Sequence, residues 1–203
     1  LKNALPESFI LYKPKDIVAG DFYWAERKGD LLFLAAADCT GHGVPGAMVS
    51  VVCNSALNRC IREFNLSDPG KILDKARELV VDTFEQSKEE VKDGMDIALI
   101  VLDLSTKKIQ FSGANNPLWL VRDTNNTSHL DASNAKTIED ENIQLVEIKG
   151  NKQPIGVHFD PKPFTTHEFV LSDNEWIYLF SDGYADQFGG DKGKKFMYKP
   201  MKK

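Results

Sequence analysis

An α+β fold with helices packed on antiparallel sheets is predicted by the order of apolar runs along the chain. An apolar strand run, Leu31–Ala37, precedes two helical stretches. Short apolar strands separated by turn residues follow them. The chain has 203 residues, 42% hydrophobic and 27% charged, enough for one substantial core or two small ones. A single domain over 1–203 is the simplest organisation.

Leu31–Ala37 is apolar without alternation, as in a strand buried on both faces, and it runs into the glycine-rich turn Asp38–Gly43. A helix should follow, with Pro45 in its first turn. Val44, Met48, Val51, Val52, Cys60, Ile61 and Phe64 recur at three- and four-residue steps and form its expected buried stripe. Asp68-Pro69 starts a second helix as N-cap and first helical position. Its stripe is Ile72, Leu73, Ala76, Leu79, Val80, Thr83 and Phe84, and the charged stretch Lys88–Asp93 closes it. After Gly94 come strands at Asp96–Asp103, Lys108–Gly113 and Pro117–Arg122. Asp123–Asn142 is polar and reads as a surface excursion. Strands resume around Ile143–Ile148, Phe164–Leu171 and Trp176–Phe180.

The net charge of −5 speaks against a nucleic-acid binder, which usually shows a basic field. The basic tail Lys192 to Lys203 reads as a solvated end. No apolar stretch approaches the roughly 20 residues that span a bilayer, and Leu1–Pro6 opens the chain without the apolar core of a signal peptide. This segment is thus expected to be cytoplasmic and free of membrane contact, although other domains of a parent protein could attach it. A start without methionine suggests a segment of something longer. Cys39, Cys53 and Cys60 form no CxxC pair and fit reduced thiols, with Cys53 and Cys60 in the core.

Three aspartates sit where strands run out into loops: Asp21 in Gly-Asp-Phe-Tyr-Trp, Asp38 in Asp-Cys-Thr-Gly-His-Gly, and Asp182 in Ser-Asp-Gly. Two of them follow apolar runs, Leu31–Ala37 and Trp176–Phe180. Carboxylates gathered at one rim of a sheet are hard ligands for Mg²⁺ or Mn²⁺. A pair of such ions activates a water and clamps a phosphate. Gly41 and Gly43 let the backbone approach a ligand closely, and the helix N-terminus behind them favours a phosphate.

Other candidates have ordinary explanations beside functional ones. His42 is either a proton donor to a leaving alcohol or a turn residue. Asp93 and Asp96 either bind a third, looser ion or serve the turn around Gly94. Lys13 and Lys15 either attract a substrate phosphate or are simply solvated.

Six motifs in order (Gly-Asp-Phe-Tyr-Trp, Asp-x-x-Gly-His-Gly, Gly-Met-Asp-Ile-Ala, Gly-Ala-Asn-Asn-Pro, Gln-Pro-Ile-Gly and Ser-Asp-Gly) run from about Lys13 to Phe196. Together they resemble the SpoIIE/RsbU-like branch of the metal-dependent protein serine/threonine phosphatases, the protein phosphatase 2C superfamily. The resemblance implies a four-layer αββα sandwich of two antiparallel sheets flanked by helices. It implies two Mn²⁺ or Mg²⁺ ions, with Asp38 bridging them, the Cys39 backbone carbonyl on one, Asp182 on the other, and Asp21 a direct or water-mediated ligand.

The activity it implies is hydrolysis of phosphoserine or phosphothreonine by a metal-activated water. The substrate would be a bacterial regulatory protein of partner-switching type, such as an anti-sigma-factor antagonist. A non-catalytic binding module of the same fold and a hydrolase of small phosphate esters are the alternatives. The family pattern continues to a late acidic motif and a final strand, whereas this sequence stops at Lys203. A C-terminally truncated domain of low activity is therefore expected.

Overall fold

The computed structural model describes residues 2, 4–85, 93–125, 135–190 and 193–202. The elements run β1 (Phe22–Lys28), β2 (Leu31–Cys39), α1 (Gly43–Arg62), α2 (Pro69–Glu85), β3 (Met95–Asp103), β4 (Lys108–Ala114), β5 (Leu118–Asp123), β6 (Ala135–Asp140), β7 (Ile143–Ile148), β8 (His167–Val170), β9 (Trp176–Tyr178), β10 (Phe188–Gly189), β11 (Lys194–Lys195) and α3 (Tyr198–Met201). Two antiparallel sheets result, ordered β1-β2-β3-β4-β8 and β6-β7-β5-β9, with β10 and β11 forming a small ribbon.

Period-two alternation in β2 and β3 builds a core on each face of the first sheet. Phe33, Ala35, Ile97, Leu99 and Val101 face α1 and α2, packing on Cys53, Leu57, Ile61, Ile72 and Leu73. Leu32, Ala98, Ile100 and Leu102 face the second sheet, meeting Leu118, Leu120, Val146 and Ile148. Each fully buried Leu or Ile contributes about 1.5–3 kcal/mol through the hydrophobic effect. Polar contacts orient the helices on this sheet. Trp24 Nε1 donates to Asn58 Oδ1 at 3.0 Å, and Arg62 clasps both Glu26 carboxylate oxygens at 2.9 and 3.2 Å. Asp68 caps α2 as expected, accepting from the Lys71 amide at 2.9 Å. The α+β expectation of two antiparallel sheets flanked by helices is met: α1 and α2 cover the first sheet, and the single turn of α3 lies against Trp119 of the second.

Several local expectations need correction. β1 was not anticipated, because its sequence FYWAERK buries only Trp24 fully and carries no clear apolar alternation. The excursion Asp123–Asn142 contains β6, a polar edge strand paired to β7; residues 126–134 lie outside the described residues. Trp176–Phe180 is a strand only over Trp176–Tyr178, and Trp176 is exposed rather than buried on both faces. Most of Lys88–Asp93 lies outside the described residues. Thr83 of the α2 stripe is exposed.

The basic tail is not merely solvated. Lys195 pairs with Asp186 at 2.6 Å, and Lys202 pairs with the buried Glu147, which also accepts from Trp119 Nε1 at 2.9 Å. Burial alone would raise the Glu147 carboxyl, yet those two donors hold it below its ordinary range.

The largest departure is in α1. Val44, Met48 and Val51 are exposed at 68%, 64% and 64%, whereas Val49, Cys53, Ala56, Leu57, Cys60 and Ile61 are buried. Phe64, beyond the helix, is exposed too. Apolar residues on two sides of the helix gave two candidate stripes, and packing selected the one displaced by about one position. Leu57→Ala should therefore cost about 2–5 kcal/mol in urea unfolding, and Met48→Ala should stay within about 0.5 kcal/mol. Equal losses would refute this assignment of the helix faces.

Candidate active site

β2 and β3 pair in register from Leu31↔Asp103 to Cys39↔Met95, which sets Asp38 directly opposite Asp96. β1 joins the same rim, since Phe22 pairs with Ala37 and Asp21 precedes Phe22. Asp182 arrives from the second sheet, in the turn after β9. The Asp38 carboxyl lies within electrostatic reach of both Asp21 and Asp182. Ser181 Oγ donates to Asp21 Oδ2 at 2.5 Å, tying the exits of the two sheets together. Asn115 Nδ2 donates to Asp96 Oδ1 at 2.8 Å on the same rim.

Crowding of like charges shapes the electrostatics. Burial, then the charges of Asp21 and Asp182, push the Asp38 carboxyl up to about 8. Asp182 is exposed as a residue, but its carboxyl end is turned toward Asp38, and that loss of solvation raises it. Burial likewise raises Asp96, with the Asn115 amide opposing the shift. Tyr198 is pushed up to about 12 by burial and by nearby aspartates, so its phenol stays protonated.

The turn joining β2 to α1 is built around close backbone approach. Gly41 and Gly43 take φ of +86° and +61°, a region open mainly to glycine. A Cβ on Gly46 would stand 2.5 Å from the Gly41 carbonyl oxygen, and one on Gly20 only 2.8 Å from the same atom. Thr40 anchors the turn to the start of β3: its amide and hydroxyl both reach the Gly94 carbonyl at 3.0 Å, and the Gly94 amide reaches its Oγ1 at 2.8 Å.

Of the residues singled out from sequence, Asp21, Asp38 and Asp182 converge, and Asp96 joins their edge. The Cys39 side chain is buried in the helix-side core, leaving its carbonyl against Gly20. Contact with the Cys53 thiol, and burial, push the Cys39 thiol far up, so it is a neutral core group. His42 is exposed at the N-cap of α1 with no side-chain capping bond. Asp93 is half-buried beside Gly94, and Lys13 and Lys15 are exposed on the N-terminal segment.

Sequence reasoning missed Ser181, Asn115 and Tyr198 as neighbours of the aspartates. The first two sit inside the Ser-Asp-Gly and Gly-Ala-Asn-Asn-Pro motifs, a signal that was available; Tyr198 carries none. Among the described residues, no three His, Cys, Asp or Glu side chains form a ready-made metal cage.

Two packed antiparallel sheets with helices on the first are the architecture that this chain shares with PP2C-type phosphatase domains. The SiaA-PP2C domain of Pseudomonas aeruginosa superposes with a TM-score of 0.73 at 27% identity, covering 95% of this chain and 68% of that one. The chain belongs to the SpoIIE family, whose profile, Stage II sporulation protein E, matches residues 28–200. The RsbU and RsbW domains of Rv1364c from Mycobacterium tuberculosis share the fold at 20% identity and a TM-score of 0.61, covering 86% of this chain and 42% of that one. RsbX in complex with magnesium shares it at 11% identity and 0.51, covering 82% and 68%. No curated protein sequence matches the chain.

Two measurements check this geometry. Gly46→Ala should cost about 1–3 kcal/mol by forcing backbone apart. Gly189→Ala, with no atom within 4 Å of its added Cβ, should be near neutral; parity between the two would disprove the close approach. In chelator, folded Asp38 keeps a proton that the unfolded chain releases above its ordinary pKa of about 4. That contribution is complete below pH 4 and is lost as pH rises through about 8. Denaturant midpoints should accordingly fall across this range, and Asp38→Asn should flatten the decline. A slope unchanged by the substitution would rule out the crowding.

Proposed function

We propose that this chain is a phosphatase domain that hydrolyses phosphoserine or phosphothreonine on a protein, using two Mn²⁺ or Mg²⁺ ions at the aspartate rim. The observation that carries the reading is the convergence of Asp21, Asp38 and Asp182 in a member of the SpoIIE family. Three carboxylates whose charges act on one another favour a bound cation, which removes their repulsion. The donor set of carboxylates plus the Cys39 carbonyl is all hard oxygen, suited to such dications. Asp38, on whose carboxyl the charges of both others act, would contribute to holding both ions. When bound, ions of this kind acidify a water and stabilise charge on a phosphoryl group.

The chain's own groups position the reactants. Ser181 holds the Asp21 carboxylate, and Thr40 fixes the turn that carries Asp38. The turn at Gly41 and Gly43 brings backbone amides at the head of α1 toward a phosphate, where free N–H groups and the helix dipole favour an anion. His42, exposed at that N-cap, is proposed as the group that protonates the departing seryl oxygen. Hydrolysis then forms one oxygen–phosphorus bond from water and breaks the one to the seryl oxygen. The neutral, buried Cys39 thiol has no part as nucleophile.

A phosphorylated bacterial regulator of partner-switching type, such as an anti-sigma-factor antagonist, is the proposed substrate, a reading supported by the likeness to the RsbU and RsbW domains. A cytoplasmic setting is proposed with it; among the described residues, no helix is long and apolar enough to cross a membrane. The test is phosphate release from a phosphoserine peptide with and without Mn²⁺, alongside calorimetric Mn²⁺ titration. Release should require Mn²⁺, and Asp38→Asn should lower it by about a hundredfold or more while weakening Mn²⁺ binding. Mn²⁺-independent release, or Asp38→Asn with wild-type rate and affinity, would overturn the reading.

A further inference from the structure

We infer that the outer face of α1 and the N-terminal strap beside it form a docking surface for the phosphoprotein substrate, selecting apolar side chains next to the phosphorylated residue; this rests on the phosphatase reading above. Val44, Met48 and Val51 lie at i, i+4 and i+7, so they form one exposed stripe on the helix. Single exposed apolar residues are ordinary, but a contiguous apolar stripe marks an interaction surface. Ile17, Val18 and Tyr23 are exposed as well. A groove of about 610 Å³ runs between the strap at Lys15–Val18 and the helix head at Gly43–Val44. A second hollow, of about 340 Å³, lies further along α1 and is lined by Phe22, Val51 and Asn58. From Gly43 through Asn58 the helix carries no charged residue.

The occupant follows from where the surface lies. Its floor, Gly43, belongs to the same turn as Asp38, and the strap is pinned at the acidic rim, since the Tyr12 hydroxyl donates to the Asp21 carbonyl at 3.1 Å. A protein delivering a phosphoseryl group to Asp38 would meet these residues beside the turn. Lys15 lines the groove and Lys13 is exposed on the same strap, both opposite in charge to a phosphate and outnumbering Asp16, the acidic residue of the lining, while the stripe offers only apolar contact. A second copy is disfavoured: a two-fold contact here would bring two clusters of Asp21, Asp38 and Asp182 together, in a chain already at −5.

The test uses p-nitrophenyl phosphate and two phosphoserine peptides of equal length, one flanked by Leu and Ile, the other by Ser and Gly. The apolar-flanked peptide should have a kcat/KM at least about tenfold higher, expressed through KM. Met48→Glu and Val51→Glu should erase that preference and leave p-nitrophenyl phosphate turnover within about twofold, and Met48→Leu should retain it. No preference in the wild type, or one that survives both glutamates, overturns the proposal. If the wild type hydrolyses none of the three with Mn²⁺, the phosphatase reading fails. Docking is then judged separately, from anisotropy of the fluorescent, unphosphorylated apolar peptide. Binding weakened about tenfold by Met48→Glu upholds the surface, and equal binding overturns it. Sedimentation supplies the last arm: a wild-type dimer split by Met48→Glu, with peptide binding unchanged, assigns the stripe to self-association and overturns the proposal.

Discussion

The antiparallel ladder between β2 and β3 is the constraint on which the rest of the molecule depends. Its nine paired positions lie at the centre of the first sheet, so each face of these strands must be covered. Helices α1 and α2 cover one face and the second sheet the other, which yields two cores on a shared wall. Because the side-chain period of a strand is two, a slip of one residue would exchange the two cores. Register also decides where the ladder ends, and at that end Asp38 stands opposite Asp96 with Asp21 beside it. Packing in the cores and carboxylate geometry at the rim are thus set by the same pairing.

Holding those carboxylates together works against folding unless protons or cations intervene. The molecule offsets the repulsion by local bonding: Ser181 to Asp21, Asn115 to Asp96, and Thr40 across to Gly94. Strands fix the direction of the acidic residues, and turns bring the polar partners. The close approach of Gly20, Gly41 and Gly46 brings the head of α1 against this rim. The fold and the acidic rim therefore meet at one backbone crossing.

Helix α1 reconciles two demands on one element. Its inner face, with Cys53, Leu57, Cys60 and Ile61, completes the helix-side core. Its outer face near the rim is also apolar, although water surrounds it. Beyond Asn58 the helix turns charged, and Arg62 holds Glu26 of β1. The polar end anchors the helix to the sheet, and the apolar end borders the site.

Much of this was legible in the residues themselves. Uniform apolarity marked β2 and β3, and Asp68-Pro69 marked the start of α2, since local chemistry is enough to specify each of these; of the three aspartates read as lying where strands run out into loops, Asp182 follows β9, whereas Asp38 lies within the end of β2 and Asp21 precedes β1. β1 and β6 were not legible, because edge strands bury little and so need no apolar pattern. The buried side of α1 was ambiguous for the opposite reason: apolar residues lie on both sides, and only the sheet beneath chose between them. Ser181 and Asn115 became neighbours of the aspartates through contacts spanning 160 and 19 residues. Sequence alone determined most of the central strands, the two long helices and the three acidic positions Asp21, Asp38 and Asp182. Tertiary structure decided their mutual contact and the face each helix presents, because both depend on packing between segments distant in the chain.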